Sequence, residues 1–200
     1  PILLLAGFAL GSTLGGQFTL TLLCYWFLTT FYSFFLKRFF LLDALILSVL
    51  YGLRIVIGSA AINVDTTSWL LNFTLSLFLG LAFLKRYVEL SNQRRLGNTH
   101  FIGRGYHIKD LRLISSLGVI SSFVSVGIFG FYINAYETTE LYENVEILWI
   151  INLIISCLLF RTWRLAHRGQ IQEDPVLFVL SDRTSQIASV VCGALIWLAI

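Results

Sequence analysis

Two adjacent bases, Lys37 and Arg38, close the segment Tyr32-Ser33-Phe34-Phe35-Leu36-Lys37-Arg38, and a carboxylate, Asp43, follows inside an apolar run. Arg54 and Gly58 lie deeper in the same run. An ionisable side chain within a membrane span is costly unless partnered, and by default marks a candidate functional residue. Asp43 and Arg54 are eleven residues apart. On a helix that puts them on nearly one face but roughly 16 Å apart along the axis, so each needs a partner from another helix. The competing role for both is an inter-helix salt bridge that fixes packing.

A second cluster reads Lys85-Arg86-Tyr87-Val88-Glu89-Leu90, then Arg94-Arg95, then Gly103-Arg104-Gly105-Tyr106-His107-Ile108-Lys109-Asp110. If the preceding apolar run continues as a helix, Lys85 and Arg86 reach Glu89 at i+4 and i+3, a surface pairing worth a few tenths of a kcal/mol. Two bases at a helix end near the interface also make a receptor for phosphate or diphosphate. Gly103-Arg104-Gly105 adds a flexible backbone and a guanidinium suited to the same anion. A solvated, orienting loop is the plain alternative.

The third cluster holds Glu173-Asp174-Pro175 and Ser181-Asp182-Arg183. Pro175 fits the first turn of a helix with Asp174 near its N-cap, so capping and orientation compete with magnesium or ribose contact. His100, His107 and His167 share no ligand spacing and suit neutral surface roles. Cys24, Cys157 and Cys192 lie in apolar runs at unrelated spacings, which suggests packing residues and no disulfide or zinc framework.

The elements that carry these clusters are apolar. The 200 residues are 57% hydrophobic and 12% charged, with a mean hydropathy of +0.81, against about a quarter charged in soluble domains. Thirteen of the fourteen Lys and Arg residues fall in the three clusters and the stretches beside them; the alternate connections hold Asp65 in one case and Glu137, Glu140, Glu143 and Glu146 in the other. That alternation is the positive-inside pattern of a polytopic membrane protein. It also accounts for a pI near 8.9 without nucleic acid as a partner. At about 20 apolar residues per crossing, six spans are expected: Leu3 to Phe31, Phe39 to Ile62, Trp69 to Leu84, Leu113 to Ile133, Ile147 to Phe160, and Ile187 to Ile200. Gly7, Gly11, Gly15 and Gly16 are spaced for close helix contact in the first. With no Met and apolar runs at both ends, residues 1–200 are expected to be one helical membrane domain cut from a longer chain.

Tyr32-Ser33-x-x-Leu36-Lys37-Arg38 with Asp43, Leu53-Arg54 and Gly58 resembles the UbiA superfamily of intramembrane prenyltransferases. Phe83-Leu84-Lys85-Arg86-Tyr87-Val88-Glu89-Leu90 resembles its second inner motif, and Glu173-Asp174-Pro175-Val176 with Ser181-Asp182-Arg183 its last inner loop. The similarity runs from about Gly7 to the C-terminus and is nearest to the decaprenyl-phosphate phosphoribosyltransferase-like branch. It implies an all-α bundle of nine helices around a cavity open to lipid, with these spans as the fourth to ninth. It also implies a magnesium (Mg2+) cofactor on an Asp-rich motif that would lie upstream of Pro1, so that this stretch alone should be inactive. Relatives often carry a fused N-terminal soluble domain, and a homo-oligomer is compatible with the resemblance.

Where aromatic prenyltransferases of the superfamily place a second Asp motif, this chain has Lys85, Arg86 and Glu89. Bases can hold a phosphate directly. The resemblance therefore implies transfer of phosphoribose from phosphoribosyl diphosphate to a polyprenyl phosphate, at the cytoplasmic side of a bacterial inner membrane. In that scheme Lys37 and Asp43 are catalytic; Tyr32, Arg38, Arg54, Lys85, Arg86, Glu89, Arg104, Tyr106, Asp174, Asp182 and Arg183 bind substrate or phosphate. Two alternatives stay open: a prenyltransferase joining prenyl diphosphate to an aromatic acceptor, and a transporter or packing subunit without chemistry.

Overall fold

The computed structural model describes residues 11, 15–62, 64–95, 105–171 and 174–199. Its elements are all helical: α1 (Gly16–Phe34), a 3-10 turn (Leu36–Arg38), α2 (Leu42–Ala61), α3 (Ser68–Arg95), a second 3-10 turn (Ile108–Asp110), α4 (Leu111–Ile133), α5 (Tyr136–Leu141), α6 (Glu146–His167), α7 (Pro175–Ser181) and α8 (Arg183–Ala199). Among the described residues, four stretches are long and apolar enough to cross a membrane: Leu42–Ala61, Ser68–Arg95, Ile108–Ile133 and Glu146–His167. The protein is a helical membrane protein. The other two expected spans coincide with α1, 19 residues long, and α8, 17 residues long; the start of the first expected span lies outside the described residues.

Two spans run further than their apolar stretches. α3 has 28 residues, about 42 Å of helix against about 30 Å of hydrocarbon. It passes through Lys85 and Arg86 because Ser68 to Arg95 holds no proline and one glycine, Gly80, and because Val88 and Leu90 are buried beyond them. The two bases are therefore not at a helix end. α6 likewise continues past Phe160 to His167, placing Arg164 and His167 in its last turn, where positive charge suits the helix dipole.

α3 is the hub, packing against α2, α4, α6 and α7, whereas α1 packs on α2 and the first 3-10 turn. Close approach is set by Gly80 and Gly118. A Cβ on Gly80 would meet Ser122 Oγ at 2.3 Å, and one on Gly118 would meet the Trp163 ring at 2.4 Å. Gly15 and Gly16, expected to make such contacts, have nothing within 4 Å of a added Cβ; Gly7 lies outside the described residues. Phe27, Val190 and Trp197 are exposed on the outer surface, Trp197 by 82%, as lipid-facing side chains are. Cys24 and Cys157 belong to that outer surface as well, so they are not the packing residues their apolar setting suggested.

Candidate functional site

At the basic end, the first turn of α2 carries Asp43, completely buried. A carboxylate there also meets the positive end of the helix dipole. Tyr32 Oη, from the last turn of α1, donates to Asp43 Oδ1 at 2.6 Å. Arg86 Nε of α3 lies 2.5 Å from Asp43 Oδ2, and its Nη1 donates to Glu89 Oε2 one turn on. The Arg86 side chain is 3% exposed. Three helices thus converge on one guanidinium.

Tyr106 packs beside this network from the loop before α4. It is 2% exposed and packs edge-on against Phe40, with ring centroids 5.2 Å apart. Burial, assisted by the Asp43 carboxylate, pushes its hydroxyl above the usual phenol range and keeps it neutral. Gly105 lets this loop in: a Cβ there would meet the Arg38 carbonyl oxygen at 2.7 Å. The expected phosphate-binding flexibility of this glycine is thus replaced by a close backbone approach.

Lys85 is next to Arg86 in sequence but about 100° round the helix, and it faces elsewhere. Its ammonium pairs with Asp174, which leads into α7. The pair remains accessible, with side chains 36% and 28% exposed. Both residues line a cavity of about 350 Å³ whose walls include Tyr51, Phe78, Leu81 and Leu177. A second, apolar cavity of about 300 Å³ shares Tyr51, Phe78 and Leu81 and extends the lining to Leu158, Leu159 and Val179. Lys85 is thus the cation of an apolar crevice made by these two adjoining cavities. The expectation that Lys85 and Arg86 face one ligand together is corrected by this divergence.

Beyond α7, Asp182 receives both terminal nitrogens of Arg161, at 2.7 and 2.9 Å. Its Oδ2 also accepts from Ser185 N and Ser185 Oγ, each at 2.9 Å, which is the geometry of an N-cap on α8. The Arg161 hydrogen bonds hold the Asp182 carboxyl down at about 2. Capping, the plain alternative at this position, is what the geometry contains. Pro175 opens α7 as its sequence suggested.

The remaining candidates are scattered. Lys37 and Arg38 lie on the 3-10 turn Leu36–Arg38, Lys37 half-buried and Arg38 exposed, and neither has an ion pair among the described residues. Arg183 is exposed at the start of α8. Arg104, Glu173 and His100 lie outside the described residues. Arg54 finds aromatic partners instead of a carboxylate: its Nε donates to Tyr25 Oη at 3.0 Å, and its guanidinium stands 5.0 Å from the Tyr51 ring centre and 5.6 Å from that of Tyr25. His107 caps the second 3-10 turn with Asp110. His167 is bonded on both nitrogens, Nδ1 to the Trp163 carbonyl at 2.7 Å and Nε2 to Ser115 Oγ at 2.8 Å. Arg161, Tyr25 and Tyr51 were not candidates; nothing in their spacing marks them, because each meets its partner across helices.

Among the described residues, no three of His, Cys, Asp and Glu converge as metal ligands. Asp43 and Glu89 face Arg86, Asp174 faces Lys85 and Asp182 faces Arg161. Such a donor set, already matched to cations, does not fit a magnesium ion.

Curated relatives include an uncharacterized protein, y4nM, of Sinorhizobium fredii, 36% identical over 186 residues that cover 92% of this chain and 36% of that protein. Nodulation protein NoeC of Azorhizobium caulinodans is 26% identical over 148 residues, 74% of this chain and 48% of that protein. The chain spans less than half the length of either relative. No family model matches it.

Proposed function

We propose that this chain is part of a UbiA-type intramembrane transferase acting on a polyprenyl substrate, transferring phosphoribose from phosphoribosyl diphosphate to a polyprenyl phosphate. The observation that carries this reading is Lys85 in the apolar crevice. A cation beside two contiguous cavities walled by Tyr51, Phe78 and Leu81 suits a ligand with an anionic head and a long hydrocarbon tail.

In this scheme Lys85 holds the lipid phosphate by a charge-assisted hydrogen bond. One phosphate oxygen forms the bond to the anomeric carbon of the donor, and the bond to the diphosphate breaks. A phosphate nucleophile needs no strong base, so positioning and electrostatics account for the rate. Arg86, Asp43 and Tyr32 serve as the rigid footing from which Lys85 projects, rather than touching the phosphate. Lys37 and Arg38, uncommitted to carboxylates among the described residues, supply positive charge at the same end for the departing diphosphate. The basic loops favour the cytoplasmic side of a bacterial inner membrane for this end, by the positive-inside rule.

A second reading, prenyl transfer to an aromatic acceptor, draws on the Tyr51–Phe78 stack, 4.1 Å between ring centres, which lines both cavities. The two separate in one experiment on the reconstituted full-length protein. Radiolabelled phosphoribosyl diphosphate with polyprenyl phosphate yields a labelled lipid under the first reading. No such lipid, with a prenylated ring formed from prenyl diphosphate and an aromatic acceptor, moves the protein to the second.

A further inference from the structure

The two ends of α7 are held in different ways. At its C-terminal end Asp182 takes two hydrogen bonds from Arg161 and two from Ser185, and its side chain is only 16% exposed. At its N-terminal end Pro175 is fully buried, and beside it Asp174 meets the flexible ammonium of Lys85 in a pair that water reaches. Between these anchors α7 lies along the crevice: Leu177 lines the cavity that contains Lys85, while Pro175 and Val179 line the apolar one.

A carboxylate at Lys85 resembles one face of a phosphate in charge and in acceptor geometry. A phosphate monoester carries more charge, about −1.5 to −2 near neutral pH, and three acceptor oxygens. Exposed lysine–carboxylate pairs exchange readily because water screens them; the buried Arg86 pairs do not. Arg161 is as exposed as Lys85, but it grips Asp182 through two hydrogen bonds and that carboxylate also caps α8; Lys85 is therefore the base whose partner an incoming anion replaces without stranding a buried charge or a helix end.

We propose that Asp174 is a resident competitor for the phosphate head of an isoprenoid lipid at Lys85. The phosphate takes the ammonium, the Asp174 carboxylate turns toward water, and the mouth of the crevice opens to the tail while the backbone of α7 stays in place. This rests on the proposed phosphate site at Lys85. It adds a specificity rule: an isoprenoid alcohol with the same tail brings no charge to replace Asp174 and is refused. Headgroup charge, not tail length alone, decides entry.

The test is binding without turnover, by titration calorimetry on the full-length protein in nanodiscs with farnesyl phosphate, farnesol and inorganic phosphate as probes. Asp174→Asn, which keeps the side-chain volume, binds farnesyl phosphate tighter by about 2- to 5-fold, the range an exposed ion pair corresponds to, and discriminates less against farnesol. Lys85→Gln binds the phosphate and the alcohol alike. In wild type, farnesyl phosphate binds tighter than both farnesol and inorganic phosphate. Unchanged or weaker farnesyl phosphate binding in Asp174→Asn overturns the proposal, as does wild-type binding of farnesol as tight as that of farnesyl phosphate. Inorganic phosphate binding as tightly as the lipid removes the isoprenoid as the occupant. Loss of phosphoribosyl transfer with the Asp174→Asn gain intact would remove the transferase reading only; intact transfer without that gain would remove this inference only.

Discussion

Arg86 Nε stands 2.5 Å from Asp43 Oδ2, with both side chains out of water. The contact joins the first turn of α2 to a point eighteen residues into α3. It gives the two ionisable groups most costly to bury a shared solution, and Glu89 and Tyr32 complete it. A buried pair of this kind adds little net stability compared with apolar packing, yet removing one member strands the other.

Arg86→Ala should therefore destabilise the protein by about 3–5 kcal/mol, whereas Lys85→Ala should stay within about 1 kcal/mol of wild type because its pair is half open to water. Thermal unfolding in detergent measures both. Equal losses would show that Lys85 is as structural as Arg86.

Asp182 sets a pH signature. Its carboxyl titrates at about 2 in the folded protein, below the usual carboxylate value of about 4. The stability it contributes is thus fully present above about pH 4 and is lost as pH falls through about 2. Asp182→Asn keeps an N-cap acceptor but loses the charge of the pair with Arg161, so it should cost about 1 kcal/mol at neutral pH and flatten the fall in stability over that acid window. Unfolding followed from pH 5 to pH 2 compares the two proteins.

The glycine contacts give a paired test. Gly80→Ala pushes a methyl group into Ser122 and should lower stability by about 1–3 kcal/mol, the cost of overpacking. Gly127→Ala meets nothing within 4 Å and should be neutral or stabilising, since alanine is the better helix former by about 1 kcal/mol. Unfolding temperatures that move the same way for both would reject this assignment of the close contact.

Arg54 stands over the Tyr51 ring. A double-mutant cycle of Arg54→Ala with Tyr51→Leu should show a coupling of about 0.5–2 kcal/mol, as expected for a cation–π contact. Coupling near zero would return Arg54 to an unassigned role.

Membrane character and helical class are plain from local chemistry. Apolar runs of span length leave the backbone one economical way to pair its hydrogen bonds, and bases confined to alternate connections orient them. Pro175 likewise announced a helix start through local rules that need no neighbour. Partner choice is another matter. Asp43 to Arg86, Lys85 to Asp174 and Arg161 to Asp182 span 43, 89 and 21 residues, and no periodicity encodes such meetings. The residue sets were legible, but their division into a buried footing and an open cation was not. Adjacent bases in a sequence look equivalent; on a helix they point about 100° apart, and only the packing of α2, α4 and α7 around α3 decides that Arg86 faces buried carboxylates while Lys85 faces the crevice.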